Sequence, residues 1–560
     1  MLFRYILAWS ILATCIFAQL PASIENMIIK SGISTQDISI SIKESGTSGK
    51  SIASLNHNVE RIPASVIKIA TTYAGLLELG SDYRWKTVVY STDNISDGVV
   101  DGNLYIKGYG DPAFETKDVI KIVEFLKSRG IRSISGDIII DRSYFESSNN
   151  SSAHFDEHPY NPYNAMPDAM MFNQNTTTLS IKGDYVSSDV SDKSYEIDNR
   201  LRSVNKQCAG KYSWPSARVI TSSPKPIVVL SGQISSRCSP RKITQIVTKS
   251  YLACYYSFAE QFKNAGIRFS GGLKLGSVPL NANEIIVYYS KPFMEIISET
   301  NKESNNLFAR QIFLTLGAHS SNSKGTLAKS RKAMTNILNK NGVRYASTIK
   351  VDNGSGLSRN ARATSMAFES LLDNAYSKYN LKWMETLSIA GVDGTIKKRF
   401  PSSLHRRVWM KTGTVKGVKN IAGYVRSRSG TVYTVVILVN SPKAKYRGAK
   451  LANEIIEWIG NGANNAHHIN KSESQEDRII ADSKEKAVEH KHFIQVGTFK
   501  GAVNSKLLNK IKSTKLNYRL VSTDKGTKVI VGPFENKQDA RSHLNKVHRS
   551  ISSKAFIVTF

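Results

Sequence analysis

Between Arg61 and Gly80 the chain reads RIPASVIKIATTYAGLLELG, an apolar run with one cation, Lys68, inside it. Pro63 stands where helices like to begin, so the stretch predicts a helix that is buried along most of its surface. A buried ammonium is costly unless it is paired or discharged. The fold must therefore place a polar pocket in its own interior at this point. Taken alone, Lys68 reads as a side chain snorkelling from an amphipathic helix. The other reading is an amine kept neutral beside Ser65, three positions earlier and on the same face. In the first turn, free backbone N–H groups and the positive end of the helix dipole both disfavour a cation. A neutral amine one hydrogen bond away is what a serine needs to become a nucleophile.

A serine three positions before a lysine is weak on its own, since others begin at Ser203, Ser222, Ser239, Ser321, Ser483 and Ser522. Two further segments strengthen it. Ser304-Asn305-Asn306, in ETNKESNNLFARQIF, heads another apolar-striped helix, and Lys411-Thr412-Gly413, in VWMKTGTVKGV, lies on a strand. Each has a decoy, Ser203-Val204-Asn205 and Lys30-Ser31-Gly32. In this order, and in helix, helix and strand contexts, the three together match the set used by serine acyl-transfer enzymes that react with penicillins.

The 560 residues allow about three or four domains. Residues 37–60 predict a hairpin, 86–290 short strands with helices near 117–129 and 251–265, and 291–340 and 363–388 helices. A final strand pair, VWMKTGTVKGVKNIAGYVRS and TVYTVVILVNSP, precedes the helix AKLANEIIEWIG. Residues 461–490 are polar without an apolar stripe and read as a linker. Residues 491–560 follow a β-α-β-β-α-β pattern, the ferredoxin-like order.

Lysine and arginine number 76 against 45 aspartates and glutamates, a net charge of +31. Such an excess suits a polyanion or an anionic cell surface. Residues 1–18, with Arg4 ahead of an apolar stretch from Tyr5 to Ala18, read as a secretory signal peptide too short to span a bilayer comfortably. Lipid attachment at Cys15 ranks below cleavage because Thr14 is atypical before a lipidated cysteine. Export makes nucleic acid an unsuitable partner and permits a disulfide, for which Cys208 and Cys238 are placed in loop-like sequence; Cys254 falls in a helical pattern and reads as a buried thiol. No cysteine–histidine spacing points to a metal, and nothing calls for a cofactor. Asp111 and Asp352 sit in glycine turns and read as turn formers.

The segments DGNLYIKGYGDPAF, VDNGSGLSRNARAT, GVDGTIKKRF and KTGTVKGVKNIAGYV resemble the low-molecular-mass class C penicillin-binding proteins, the D-alanyl-D-alanine carboxypeptidase/endopeptidase family, from about residue 37 to 460. The 239 positions from Ser65 to Ser304 are too many for a β-lactamase and match the inserted domains of this family. The resemblance implies a multidomain α/β chain: a transpeptidase-like catalytic domain in two parts, 19–85 and 291–460, with a β-rich insertion at 86–290. It implies that Ser65 attacks and Lys68 is its base. Ser304 and Lys411 would relay the proton, Asn306 would bind the substrate amide, Thr412 and Thr414 would hold the terminal carboxylate beside Lys411, and Gly413 would be a substrate-binding position of the same strand. Arg359 would either position substrate or cap its loop. Asn305 departs from the family's common aspartate. Peptidoglycan is then the substrate and β-lactams the inhibitors. A catalytically silent wall-binding scaffold is the alternative.

FIQVGTF followed by VIVGPF resembles a SPOR domain, a peptidoglycan-binding module of cell-division and wall-remodelling proteins. Strand alternation predicts Phe493, Gln495 and Phe499 on a solvent-facing floor for a sugar chain, opposite Ile494 and Val496. The module carries 14 lysines and arginines against 3 acidic residues, a net +11. The resemblance implies a periplasmic, septal protein with cell-division partners.

Overall fold

The computed structural model describes residues 20–462 apart from 47, 94, 147–154, 190–191 and 224, and residues 492–559 apart from 500–502, 515, 524–525, 535–536 and 554. The expected signal peptide, Cys15 and nearly all of the expected linker lie outside the described residues. The chain divides into two compact units, Met1–Ala466 and His467–Phe560.

In the first unit a helix that the sequence pattern did not announce, α1 (Ala22–Ser31), precedes the hairpin β1 (Ile38–Glu44) and β2 (Ser51–Leu55). A single 3-10 turn, Ala64–Val66, leads into α2 (Ile67–Leu79). Beyond the insertion come α3 (Phe293–Lys302), α4 (Asn306–Ser321), α5 (Leu327–Lys340) and α6 (Ser365–Tyr379). The expected strand VWMKTGTVKGVKNIAGYVRS is in fact a hairpin, β3 (Val408–Val415) and β4 (Val418–Arg426), because Lys416-Gly417 turns the chain; β5 (Val432–Asn440) and α7 (Ala449–Gly462) follow. The antiparallel sheet runs Ser388–Ile389, β3, β4, β5, β1, β2.

Both faces of this sheet are covered, which is why β5 is apolar almost throughout. Trp409, Tyr424, Val436 and Leu438 pack against α2, α4 and α6. Met410, Ile421, Val435 and Ile437 pack against Ile24 and Ile28 of α1 and Ile455, Ile456 and Ile459 of α7. Each such aliphatic side chain contributes about 1.5–3 kcal/mol on leaving water. Helix α2 is the innermost element, buried at every position from Ile67 to Leu76.

Among its described residues the insertion carries two larger cores and a smaller one around Val88, Tyr90, Tyr105 and Ile139. A five-stranded sheet, in the order Leu273–Leu275, Ile138–Asp141, Leu104–Gly108, Lys86–Ser91 and Asn283–Tyr289, packs under helices Thr116–Ser128 and Ser250–Ala265. Two three-stranded sheets, 177–188 with 241–245 and 196–204 with 216–235, share Leu179, Ile181, Tyr195, Leu230 and Ile234. Cys208 and Cys238 form a disulfide there, with Cα atoms 5.2 Å apart, and Cys254 is a buried free thiol.

The second unit orders β6 (His492–Phe499), α8 (Ser505–Ser513), β7 (Tyr518–Thr523), β8 (Gly526–Phe534), α9 (Lys537–Ser550) and β9 (Phe556–Thr559) into an antiparallel sheet β7-β8-β6-β9. Its core joins Ile494, Val496, Val529 and Val531 to Ile511, Ala540 and Val547. The expected aromatic floor is not built as predicted. Pairing slips between Gln495, opposite Ile530, and Gly497, opposite Val529, so the strand gains a bulge and reverses its alternation. Phe499 consequently packs against the core, while Phe493 and Gln495 are buried rather than presented to solvent.

Candidate active site

Ser65 is aimed by a strained turn. Ala64, fully buried, holds a left-handed φ of 48°, a conformation that costs a non-glycine residue about 1–3 kcal/mol. Two amides, buried Asn420 and half-buried Asn440, pin this turn to the sheet: Asn420 Nδ2 donates to the carbonyls of Ile62 (2.8 Å) and Pro63 (3.0 Å), and the Ile62 N–H donates to Asn440 Oδ1 (2.8 Å). Strand β3 passes so close that a Cβ on Gly413 would lie 2.7 Å from the Pro63 carbonyl and 3.2 Å from the Ser65 nitrogen. Only glycine fits there.

Lys68, in the first turn of α2 and without solvent exposure, has three polar neighbours. Its Nζ stands 3.0 Å from Ser65 Oγ, 2.6 Å from Asn306 Oδ1 and 2.5 Å from the Ser355 carbonyl. The last two accept and cannot donate, so they take both hydrogens of a neutral amine and leave its lone pair for the serine hydroxyl. Burial holds Lys68 well below the usual lysine range, and the positive charges of Lys411 and Arg310 add to that. Lys411, on β3 and equally buried, donates to Ser304 Oγ (2.8 Å) and to the Thr412 carbonyl (3.0 Å); burial pushes it down to about 7.

Ser304 is itself left-handed, with φ 57°, immediately before α4. Asn305 caps that helix, its Oδ1 accepting from the Phe308 N–H at 3.1 Å, and its Nδ2 donates to Gln174 Oε1 at 2.8 Å. The cap is why asparagine serves where aspartate is expected, since both are good N-caps. Asn306 Nδ2 donates to the Tyr163 carbonyl at 3.0 Å. The acceptor carbonyl at Ser355 is delivered by the loop 353–358, where Asn353 Oδ1 accepts from the Ser355 N–H and hydroxyl and Thr71 Oγ1 donates to the Gly354 carbonyl.

The fold thus brings Ser65, Lys68, Ser304, Asn306, Lys411 and Gly413 together. Thr412 lies alongside, its hydroxyl donating to Thr395 Oγ1 (3.0 Å), and exposed Thr414 accepts from Lys419 Nζ (3.2 Å). Arg359 is exposed on its loop with the guanidinium 5.5 Å above the Phe155 ring. Asn420, Asn440 and the Ser355 carbonyl are additions to the expected set. Asn420 is marked by an amide beside the apolar run IAGYV, whereas Asn440 ends its strand and a backbone acceptor has no side-chain signature, so neither of those is marked. A cavity of about 590 Å³ opens beside Ser304 and Asn306, walled by Tyr163, Asn173, Gln174 and Thr176 of the insertion.

A serine hydroxyl one hydrogen bond from a buried lysine, where a helical layer meets an antiparallel sheet, defines a serine peptidase of the penicillin-binding-protein fold. The chain belongs to the D-Ala-D-Ala carboxypeptidase 3 (S13) family, whose profile matches residues 20–460, and residues 489–559 match the SPOR domain. It is 27% identical over 402 residues to the D-alanyl-D-alanine carboxypeptidase DacB of Haemophilus influenzae, covering 70% of this chain and 82% of that protein. Its identity to the D-alanyl-D-alanine carboxypeptidase of Actinomadura sp. (strain R39) is 25% over 408 residues, covering 68% and 74%. The crystal structure of penicillin binding protein 4 (dacB) from Haemophilus influenzae shares the fold, with a TM-score of 0.65 at 23% identity over 78% of this chain and 99% of that one.

Proposed function

We propose that the protein is a serine DD-peptidase that cleaves the D-Ala-D-Ala bond of peptidoglycan stem peptides through an acyl-enzyme on Ser65. The observation that carries this is the hydrogen-bond arrangement of Lys68, which leaves its lone pair for Ser65 Oγ. Lys68 takes the hydroxyl proton as Ser65 Oγ bonds to the carbonyl carbon. The backbone N–H groups of Ser65 and Thr414 face the developing oxyanion, each such donor being worth about 3–4 kcal/mol. As the tetrahedral adduct collapses, the C–N bond breaks and the leaving amine takes a proton relayed through Ser304 and Lys411. Water, deprotonated by the same base, then hydrolyses the ester. The Lys411 ammonium, with Thr412 and Thr414, holds the terminal carboxylate. A penicillin acylates Ser65 by ring opening and, with its leaving group still tethered, stays bound.

Whether the leaving side is a single D-alanine or a cross-linked second peptide depends on what occupies the cleft beyond Ser304, and the relatives' names support the carboxypeptidase reading. The SPOR module is the peptidoglycan-binding part, which agrees with its net charge of +11, 14 basic against 3 acidic residues. Among the described residues no helix is long and apolar enough to cross a membrane. We place the protein in the periplasm, at the septum, where cell-division proteins are its partners; a fluorescent fusion of residues 467–560 spread evenly around the envelope would remove the septal part. Fluorescent penicillin should label the wild type and not Ser65→Ala. Equal labelling of both would end the enzymatic reading.

A further inference from the structure

The insertion reaches the site through a segment built at a cost. Asn173, Gln174 and Asn175 are three consecutive non-glycine residues with left-handed φ values of 44°, 55° and 55°. Such residues normally occur singly, and a run of them persists only where surrounding contacts hold it. Those contacts are present. The Asn173 N–H donates to the Phe114 carbonyl (3.0 Å), and its side chain accepts from the Thr116 N–H (3.1 Å) while donating to Thr116 Oγ1 (3.1 Å). The result is to project Gln174 against the Ser304–Asn306 segment, where its Oε1 accepts from Asn305 Nδ2 (2.8 Å), on the wall of the same cavity. Asn305 is the helix cap whose neighbours on either side, Ser304 and Asn306, contact Lys411 and Lys68.

We propose that Gln174 is a positioning residue for this reaction: through Asn305 it fixes the left-handed turn that presents Ser304 to Lys411 and Asn306 to Lys68. This rests on the function proposed above. The Gln174–Asn305 contact is an amide pair that tolerates one carboxylate and not two. In Asn305→Asp the carboxylate still caps α4, and the Gln174 amide turns over to donate to it. In Gln174→Glu the carboxylate accepts from Asn305 Nδ2 as the glutamine does. Together they set two carboxylates at hydrogen-bond distance, where like charges repel.

The test is a double-variant cycle on the full chain, read by thermal melting and by the acylation rate with fluorescent penicillin, with the kcat and KM of a D-Ala-D-Ala peptide measured alongside. Each single variant should lose no more than about threefold in acylation. The double variant should lose at least about thirtyfold, mainly in kcat, and melt lower than the summed single effects. Gln174→Ala should fall about tenfold, and Gln174→Glu should recover most of that loss. A double variant whose losses equal the product of the single ones overturns the proposal, as does coupling confined to melting with acylation unaffected. A wild type inert to penicillin would end the enzymatic reading instead, with the melting cycle still deciding whether the contact exists.

Discussion

Two buried lysines divide the chemistry of the site by charge. Lys68 must be neutral to accept a proton, so acylation should fall as pH drops through its lowered folded value. Lys411, pushed down to about 7 by burial, loses its charge as pH rises through that point. For a substrate ending in a free carboxylate, kcat/KM should therefore decline by about tenfold between pH 7 and 8.5, whereas an amidated analogue, which meets Lys411 only through the proton relay, should show a shallower limb. A pH–rate profile with both substrates checks this, and identical alkaline limbs would remove Lys411 from carboxylate binding. The nearness of Ser65 and Lys68 was legible because three positions make almost one helical turn. That Lys68 would also meet a carbonyl at Ser355 was not, since a backbone oxygen has the same chemistry at every residue.

Among the elements, the turn before α2 and strand β3 behave as one piece. Asn420→Ala would take its side-chain acceptor from the Val439 N–H, at a cost of about 1–3 kcal/mol, and would leave the Ile62 and Pro63 carbonyls only their longer bonds from Asn440 Nδ2 and the Val66 N–H, both 3.3 Å. Denaturant unfolding should report that loss, with acylation falling alongside as the Ser65 turn loosens. Gly413→Ala acts differently. Its methyl must displace either β3 or the Ser65 turn, so acylation should drop by at least about a hundredfold while overpacking costs about 1–3 kcal/mol in stability. Comparing melting temperature with labelling rate separates the two variants; a fast, penicillin-reactive Gly413→Ala would contradict the packing argument. The helices that bracket Ser65, Ser304 and the C-terminal strands were readable from periodicity. The β3–β4 hairpin was not, because Lys416-Gly417 interrupts an apolar run too briefly to stand out. Phe499 was misassigned for a related reason: a bulge adds one residue to a strand, and period-two alternation carries no sign of it.

Across the whole molecule, burial perturbs carboxyls as well as amines. Asp111 and Glu369 are both raised to about 7 by burial. An acid raised on folding stabilises the native state fully below its unfolded value, and that contribution is lost as pH rises through the folded one, here from about pH 4 to 7. Asp111→Asn, a neutral mimic that can still accept from the Ala113 N–H, should therefore gain on the wild type by a few degrees in Tm between pH 4.5 and 7.5, corresponding to about 2 kcal/mol. A gap that does not change with pH would show that Asp111 is ionised throughout. Division into two units carries a separate expectation: removing residues 467–560 should leave kcat/KM on a small soluble peptide intact and abolish co-sedimentation with purified peptidoglycan.

The absent side chain at Gly413 bears on how a cell carrying this protein could ever escape a β-lactam. On the function proposed above, antibiotic and stem peptide share the β3 edge, and that strand has no slack against the Ser65 turn. Any replacement bulky enough to turn the drug away there would push the blade off its own hinge, so tolerance would have to be assembled from the far wall of the cleft, where the inserted domain supplies the surface.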